Sequence, residues 1–251
     1  MTRRALPFLL PILLPALLFA SETRDPAAVA VAEKTLEAMG GQKAFAALRT
    51  LKFDFVVEHE GKELTRIHHT WDRWDGRYRI EAVNREGKHV LTIFNVQKPG
   101  EGRSWLDGTE LAGEDLKKAL ERGYGRFIND SYWFLMPSKM LDPGVNLASE
   151  GDTELDGKPY SVVRLTFDGV GLTPNDTYWA FVSKSTGLMD RWQFVLTGQD
   201  PKAREGYLWS DWETIGGIRV ALKRTATDGS SIIRFDHVSG SATADDNAFK
   251  Q

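Results

Sequence analysis

The amino-acid sequence predicts a mainly β fold with helical inserts (α+β), in which a single curled antiparallel sheet of about eleven strands forms an open half-barrel with a helical lid. Three observations support this prediction. Short runs of alternating apolar and polar residues follow one another and are separated by tight turns such as Asp75-Gly76. The 251 residues include eight Trp, 13 Phe and 23 Gly but only 10 Pro, which favours an aromatic-lined β protein. A helical stretch from Leu111 to Met136 interrupts the strands.

The first twenty residues have the layout of a secretory signal peptide. Two arginines precede an uncharged, Leu-rich run from Ala5 to Ala20, and charge returns at Glu22. A membrane anchor is the alternative, but this run is shorter than the roughly 20 residues that a spanning helix needs, and three prolines interrupt it. We expect residues 1–20 to be removed after Ala20 or Ser21 and the mature protein to be exported to the periplasm. Because the chain has no Cys, we do not expect a lipoprotein.

Two helices are predicted at the start of the mature chain. Asp25 can cap the first helix and Pro26 suits its first turn, and the apolar residues that follow recur at helical spacing as far as Met39. Gly40-Gly41 ends this helix, because glycine tolerates the left-handed conformation that often follows a helix. A shorter helix is predicted over residues 42–48.

Short strands joined by tight turns fill most of the remaining chain. In each strand apolar and polar residues alternate, so one face of the sheet is expected to be buried and the other exposed to solvent. The predicted strands are residues 53–58, 64–74, 77–83, 90–96 and 103–106 before the helical insert, and residues 160–167, 177–183, 188–196, 207–213, 218–225 and 231–238 after it. No linker divides the chain, so we expect one domain over residues 21–238 and a polar, frayed tail over residues 239–251.

The insert between the two groups of strands, residues 112–145, is expected to form the lid. The Gly-Tyr-Gly sequence at 123–125 is expected to break its helix, and Asn129 or Asp130 can cap a second piece. This second piece carries consecutive bulky side chains from Tyr132 to Met136. Because they cannot all face one core, some of them should lie on the lid or on an exposed interaction patch.

A sheet of about eleven strands is too long to stay flat and must curl. Side chains do not easily fill the inside of so wide a half-barrel, so an apolar cavity is expected. Such a cavity favours an acyl chain, because each buried CH₂ contributes about 0.8 kcal/mol. The candidate ligand-binding residues on the strands and the lid are Trp71, Tyr78, Trp133, Phe134, Met136, Met140, Phe181, Trp192 and Phe194. The same alternation is typical of a packed core, and the pattern leaves both roles open.

The sequence lacks the motifs of most enzymes. It contains no G-x-S-x-G elbow, no H-E-x-x-H pair and no phosphate-binding glycine loop, and the net charge of −3 argues against a nucleic-acid partner. His68 and His69 are neighbours on a strand and point to opposite faces, so they cannot chelate one ion together. We therefore predict no catalytic residue, no metal and no cofactor. His69 can be a packed core residue or can face the cavity, where a hydrolase would need it paired with an acid or a serine.

Three stretches resemble the LolA/LolB-like superfamily of exported lipoprotein and lipid carriers, which take part in outer-membrane lipoprotein sorting. They are the hairpin Trp74–Glu81, the strand–turn–strand Asp176–Arg191 and the late hairpin Asp211–Val220. The resemblance implies a half-barrel that binds lipid in the periplasm. In these carriers an arginine near the early hairpin holds the lid closed, and Arg73 stands nearest to that position, so it joins the candidate site residues.

The sequence therefore predicts an exported, non-enzymatic protein that binds a lipid, an acyl chain or an acylated protein in an apolar cavity, with transient membrane contact. An envelope scaffold that binds a protein partner through the aromatic segment 129–145 is the first alternative. A hydrolase acting inside the half-barrel is the second alternative.

Overall fold

The computed structural model describes residues 23–251. The main element of this part of the chain is one antiparallel sheet. Its 13 strands are β1 (Thr50–His59), β2 (Lys62–Asp72), β3 (Arg77–Val83), β4 (His89–Asn95), β5 (Lys98–Leu106), β6 (Thr109–Glu110), β7 (Val145–Leu155), β8 (Lys158–Phe167), β9 (Thr177–Ser183), β10 (Met189–Val195), β11 (Glu205–Ile215), β12 (Ile218–Ala226) and β13 (Ser231–Ser241). Two meanders, β1 to β6 and β7 to β13, join where β1 pairs with β13. β6 and β7 are the two edges, so the sheet is open.

The open antiparallel sheet agrees with the prediction, but the number of strands is 13 and not about eleven. The two unpredicted strands are the edges. β6 has only two residues, and the middle of β7 is polar and exposed, so neither has the apolar alternation by which strands are recognised in a sequence. The predicted signal peptide, residues 1–20, lies outside the described residues.

Three α-helices accompany the sheet over residues 23–251: α1 (Pro26–Ala38), α2 (Gly41–Ala47) and α3 (Gly113–Leu135). The Asp25 side chain caps α1 by accepting a hydrogen bond from the Ala27 amide at 2.9 Å. α3 contacts β4 and β5 of one meander and β12 of the other, so the sheet curls around it. No helix within this part of the chain is long and apolar enough to cross a membrane.

α3 continues without a break through Gly123, where a helix break was predicted. A Cβ atom at Gly123 would lie 3.3 Å from side-chain atoms of Thr92 and Phe94. The glycine therefore allows α3 to approach β4 closely. The prediction of a break was wrong because a glycine in a helix can serve packing as well as termination.

The chain's own side chains fill most of the concave face. The first half of α3 packs on β2, β3 and β4, its last turn packs on β1 and β13, and α1 packs on β7 to β9. The residues at the centre of these contacts include Ala28, Phe53, Tyr78, Phe94, Leu120, Phe134, Val163 and Phe235. A cavity remains beside the C-terminal half of α3, over the second meander.

The C-terminal residues contact the outer side of the first meander. β13 extends to Ser241 and a short 3₁₀ helix follows at Asp246–Phe249. Lys52 forms an ion pair with Asp245 at 2.7 Å, and Arg77 forms one with Asp246 at 2.8 Å. The tail was expected to be frayed. These contacts could not be read from the sequence, because Lys52 and Arg77 lie on strands far from the tail in the chain.

Candidate functional site

The candidate site is a cavity of about 610 Å³ between α3 and the inner face of β8 to β10, a size typical of pockets for small ligands. Aromatic rings form its two main walls. α3 contributes Phe127, Tyr132 and Trp133, and the sheet contributes Tyr178, Trp192 and Phe194. The cavity is therefore suited to an apolar guest.

The periodicity of the elements explains how these rings meet. Trp192 and Phe194 are two residues apart on β10 and so project from the same face, and Tyr178 lies opposite Phe194 on β9. Tyr178 and Trp192 have ring centroids 5.1 Å apart. From the other side, Trp133 of α3 packs on Trp192 with centroids 4.7 Å apart. These contacts fix the inner wall of the cavity.

The mouth of the cavity has exposed apolar side chains. Val170 and Leu172, in the loop between β8 and β9, are 36% and 58% exposed, and Leu196, after β10, is 39% exposed. Gly169 and Gly171 flank Val170 with φ of 69° and 83°, in the left-handed region that glycine adopts without strain. An exposed apolar rim around an apolar cavity is typical of a binding surface.

The charged groups at the cavity are engaged with the protein itself. Lys139 pairs with Asp142 at the rim. Asp176 is buried and accepts hydrogen bonds from the Thr197 amide at 2.8 Å and the Tyr178 hydroxyl at 3.1 Å. Burial raises the pKa of Asp176, but hydrogen bonds from Thr173, Thr197 and Tyr178 outweigh it and hold the pKa below its usual range. Burial raises the pKa of Tyr178 to about 12, so this hydroxyl is neutral.

Four of the predicted site residues line the cavity: Trp71, Trp133, Trp192 and Phe194. Tyr78, Phe134, Met136 and Met140 do not, because they are buried in the core, each at 1% exposure or less. For these four, the structure corrects the prediction in favour of the packed-core alternative.

Phe181 lies on the opposite, convex face of the sheet, where it packs with Tyr160, Val162 and Trp179. Both faces of β9 are apolar, so alternation alone could not show that Tyr178 faces inward. The sequence analysis missed Tyr178 for this reason. It also missed the mouth residues, because isolated apolar residues in a loop have no periodic pattern.

Within residues 23–251, the hydrogen bonds and ring contact of Arg73 are with α2, Leu48 and Trp71 and not with the insert 112–145. Its guanidinium donates to the backbone carbonyls of Phe45 and Leu48, the latter at 2.6 Å, and so caps the C-terminal end of α2. It also lies over the Trp71 ring, with its central carbon 5.6 Å from the ring centroid. Burial lowers the pKa of Arg73. The role implied by the resemblance is therefore not seen at this position.

The aromatic segment 129–145 presents no aromatic patch to solvent. Phe134 and Met136 are fully buried, and Trp133 is half buried between Trp192 and Tyr207. Tyr132 and Trp133 of this run line the cavity from α3, whereas Phe134 and Met136 pack in the core, because the curled sheet surrounds α3 and supplies a core on more than one side of the helix.

A buried polar chain lies beside α3. The Tyr78 hydroxyl is 3.0 Å from His69 Nδ1, and His69 Nε2 is 3.0 Å from an oxygen of Asp130, although the angle there is poor for a hydrogen bond. Arg126 lies 3.1 Å from the same Asp130 oxygen. Burial lowers the pKa of His69, with Asp130 opposing the shift, and burial raises the pKa of Tyr78. Tyr78, His69 and Asp130 do not line the cavity.

His69 and Asp130 form the His–acid pair that a hydrolase would need. Both side chains are closed off from solvent, so a substrate cannot reach this pair in the structure. The His69 and Asp130 side chains are 0% exposed, and His69 is stacked on Phe53 at 4.7 Å between centroids. Its contacts tie α3 to β2 and β3, which is a structural role. Within residues 23–251 no group of three or more His, Asp or Glu residues is placed to hold a metal ion.

No protein-family model and no curated protein sequence matches the chain. Solved structures with a similar fold include a DUF1329 family protein from Desulfovibrio piger, with a TM-score of 0.50, 13% identity and coverage of 89% of this chain and 97% of that one. A LolA superfamily protein from Nitrosomonas europaea has a TM-score of 0.50 and 11% identity over 89% of this chain and 97% of its own. The chain therefore has a LolA-like fold, as the resemblance implied.

Proposed function

We propose that this protein is an exported, non-enzymatic carrier or lipid-binding protein that takes the hydrocarbon part of a lipid, an acyl chain or a lipid-modified protein into the cavity beside α3. The observation that carries the proposal is the aromatic-walled cavity of about 610 Å³. Each CH₂ moved from water into it contributes about 0.8 kcal/mol, so a chain of ten or more carbons needs no specific hydrogen bond to bind.

The mouth of the cavity supports a role in transferring such a chain. Val170, Leu172 and Leu196 surround the mouth and are exposed. A chain that leaves a membrane or a lipid-modified partner would pass over these side chains before it reaches the aromatic walls. Transient contact with a membrane surface follows from the same arrangement.

The likeness to the LolA superfamily protein from Nitrosomonas europaea supports the carrier role at the level of the fold. The full burial of His69 and Asp130 argues against catalysis by this pair. The Leu-rich run of residues 5–20 supports export to the periplasm. Sequencing of the N-terminus of protein recovered from the periplasm should give a chain that begins at Ser21 or Glu22.

Binding can be tested on the purified mature protein. Organic extraction followed by mass spectrometry should recover acyl species, and titration with a fluorescent fatty acid should saturate at one molecule per chain. A control with protein unfolded in urea should bind none. Absence of any extracted acyl species together with absence of fatty-acid binding would contradict the proposed function.

A further inference from the structure

Asp176 is a buried carboxylate in the wall of the cavity, with an exposed fraction of 2%. The amide and the hydroxyl of Thr197 donate to one of its oxygens at 2.8 and 2.9 Å, and the Tyr178 hydroxyl donates to the other at 3.1 Å. All of these donors are uncharged, and Asp176 forms no ion pair with any residue among 23–251. The hydrogen bonds therefore satisfy its oxygens but leave its negative charge without a counter-ion.

This charge persists at neutral pH, because the hydrogen bonds hold the pKa of Asp176 below its usual range in spite of burial. The other charged side chains that line the cavity, within the described part of the chain, are Lys139 and Asp142, and these two pair with each other. The cavity wall therefore carries one unbalanced negative charge. A buried charge without a counter-ion is unfavourable, so the wall favours a cation inside the cavity.

A group of aromatic rings lies beside the Asp176 carboxylate. The Tyr178 ring, whose hydroxyl donates to Asp176, has its centroid between 5.1 and 6.3 Å from those of four other rings: Trp192, Phe167, Tyr132 and Phe194. It meets them at interplanar angles from 46° to 72°, so it is stacked on none of them. All five rings line the cavity. Aromatic faces attract cations, and groups of such rings recognise quaternary ammonium ligands in other proteins.

We infer that the cavity binds an amphiphile with a quaternary ammonium head, which lies beside Asp176 while the hydrocarbon chain lies between α3 and the sheet. The inference rests on the proposed function and adds the chemistry of the ligand's head. Asp176 is close to the mouth, because its partner Thr197 directly follows the mouth residue Leu196. A chain can therefore enter the cavity while its head remains at this end.

The hydrogen bonds of Asp176 favour a quaternary ammonium over a primary one. A carboxylate offers about four acceptor positions, and Thr197 and Tyr178 already occupy three of them. A primary ammonium has three N–H donors, and those that lose water need new acceptors. A trimethylammonium group has no N–H donor, so the charge of Asp176 and the ring faces are sufficient to hold it.

The test compares decyltrimethylammonium with decanol, each displacing the neutral probe N-phenylnaphthylamine from the mature protein at pH 7 and a salt concentration of about 0.15 M, where distant charges are screened. The two ligands share a chain, but only one carries a cation. Decyltrimethylammonium should bind about ten times more tightly than decanol. Equal binding of the two would overturn the inference and leave the proposed function standing, whereas binding of neither would overturn both.

Two further ligands separate the parts of the inference. Decylammonium should bind more weakly than decyltrimethylammonium, and equal or tighter binding would overturn the assignment of a quaternary head. Choline has the head without the chain and should not displace the probe at the same concentrations. Displacement by choline as effective as that by decyltrimethylammonium would identify a small free solute as the ligand and overturn the assignment of an amphiphile.

Asp176→Asn should remove most of the preference for decyltrimethylammonium and leave the binding of decanol unchanged. The variant should fold, because asparagine has the same shape and keeps one oxygen for the donors of Thr197. Asp200→Asn is the control and should keep the preference, since Asp200 is an exposed acid in the loop after β10 that does not line the cavity. If Asp176→Asn does not fold, Phe194→Leu serves instead and should reduce the preference, because one ring is lost. An unchanged preference in the folded variant would overturn the inference.

Discussion

Asp72 is a fully buried carboxylate at the hairpin between β2 and β3. Arg49 contacts both of its oxygens, each at 3.1 Å, and Arg77 donates to it at 2.6 Å. Burial raises the pKa of Asp72, but the hydrogen bonds from the two arginines outweigh it and hold the pKa well below its usual range. The ionised form therefore stabilises the fold at neutral pH.

Replacement of Asp72 tests this network. Asp72→Asn should lower the free energy of unfolding by about 2–4 kcal/mol at pH 7, because both arginines lose a buried charged partner. Since the pKa is depressed in the folded state, the stabilisation is complete above the unfolded value of about 3.9 and is lost as the pH falls toward the folded value. The difference between variant and wild type should therefore shrink below about pH 4 in urea unfolding experiments.

Asp75→Asn is the matched control for Asp72. Asp75 also contacts Arg49, at 2.5 Å, but is 56% exposed, so its removal should change stability by less than about 1 kcal/mol. If Asp72→Asn lowers the free energy of unfolding equally at pH 7 and pH 3, the ionised Asp72 carboxylate is not the source of the stabilisation.

Asp130 gives a second prediction at the scale of a residue. Asp130→Ala should lower the free energy of unfolding by about 3–5 kcal/mol, because it leaves His69 and Arg126 without their buried partner. Glu121→Ala, at an exposed position of the same helix, is the control and should have little effect. Urea unfolding measures both, and a loss below about 1 kcal/mol for Asp130→Ala would contradict a structural role for the polar chain.

On the strands, the sequence could predict which side chains face the cavity only where a single face of the strand was apolar. Trp192 and Phe194 were expected at the cavity and both line it; the polar Arg191 and Gln193 beside them mark the opposite face of β10. On β9 both faces are apolar, and the residue chosen there, Phe181, lies on the convex face.

The packing of α3 against β5 gives a prediction at the scale of an element. A Cβ atom at Gly102 would lie 2.4 Å from the Ile93 carbonyl oxygen and 2.7 Å from a methyl group of Leu120 on α3. Gly102→Ala should therefore lower the free energy of unfolding by about 1–3 kcal/mol and speed hydrogen exchange in α3.

Gly100→Ala, on the same strand, is the control. A Cβ atom there meets nothing within 4 Å, so stability should change little. Equal effects of the two substitutions would contradict the close packing of α3 on β5.

At the scale of the elements, the interior strands and α1 could be predicted, because alternation, glycine turns and a capping aspartate are local signals. The edge strand β7 could not, because it is polar along much of its length and is recognised only by its pairing with β8. The continuity of α3 through Gly123 likewise depends on the approach of β4, which is a tertiary contact.

For the whole molecule, the curl of the sheet could be predicted from the number of strands, but the filling of its concave face could not. The first half of α3 occupies the side over β2 to β4, and the cavity lies beside its C-terminal half, with most of its strand residues on the second meander. The position of the cavity depends on where α3 lies across the sheet, and no periodic pattern in the sequence encodes this placement.

The mouth of the cavity gives a prediction for the whole molecule. Leu172→Glu should weaken binding of a fluorescent fatty acid by about tenfold, because it removes apolar contact and places a charge where the chain enters. Leu64→Glu is the control, since Leu64 is 65% exposed against 58% for Leu172 but does not line the cavity. Equal weakening by both substitutions would place the entry elsewhere.

The most direct test of the central claim is a crystal structure of the mature protein grown with a saturated fatty acid. The structure should show continuous density for one hydrocarbon chain between α3 and β8 to β10, in contact with Tyr132, Tyr178 and Phe194. Density for the chain on the convex face, or an unaltered cavity in crystals grown at saturating ligand, would contradict the claim that this protein encloses a lipid chain.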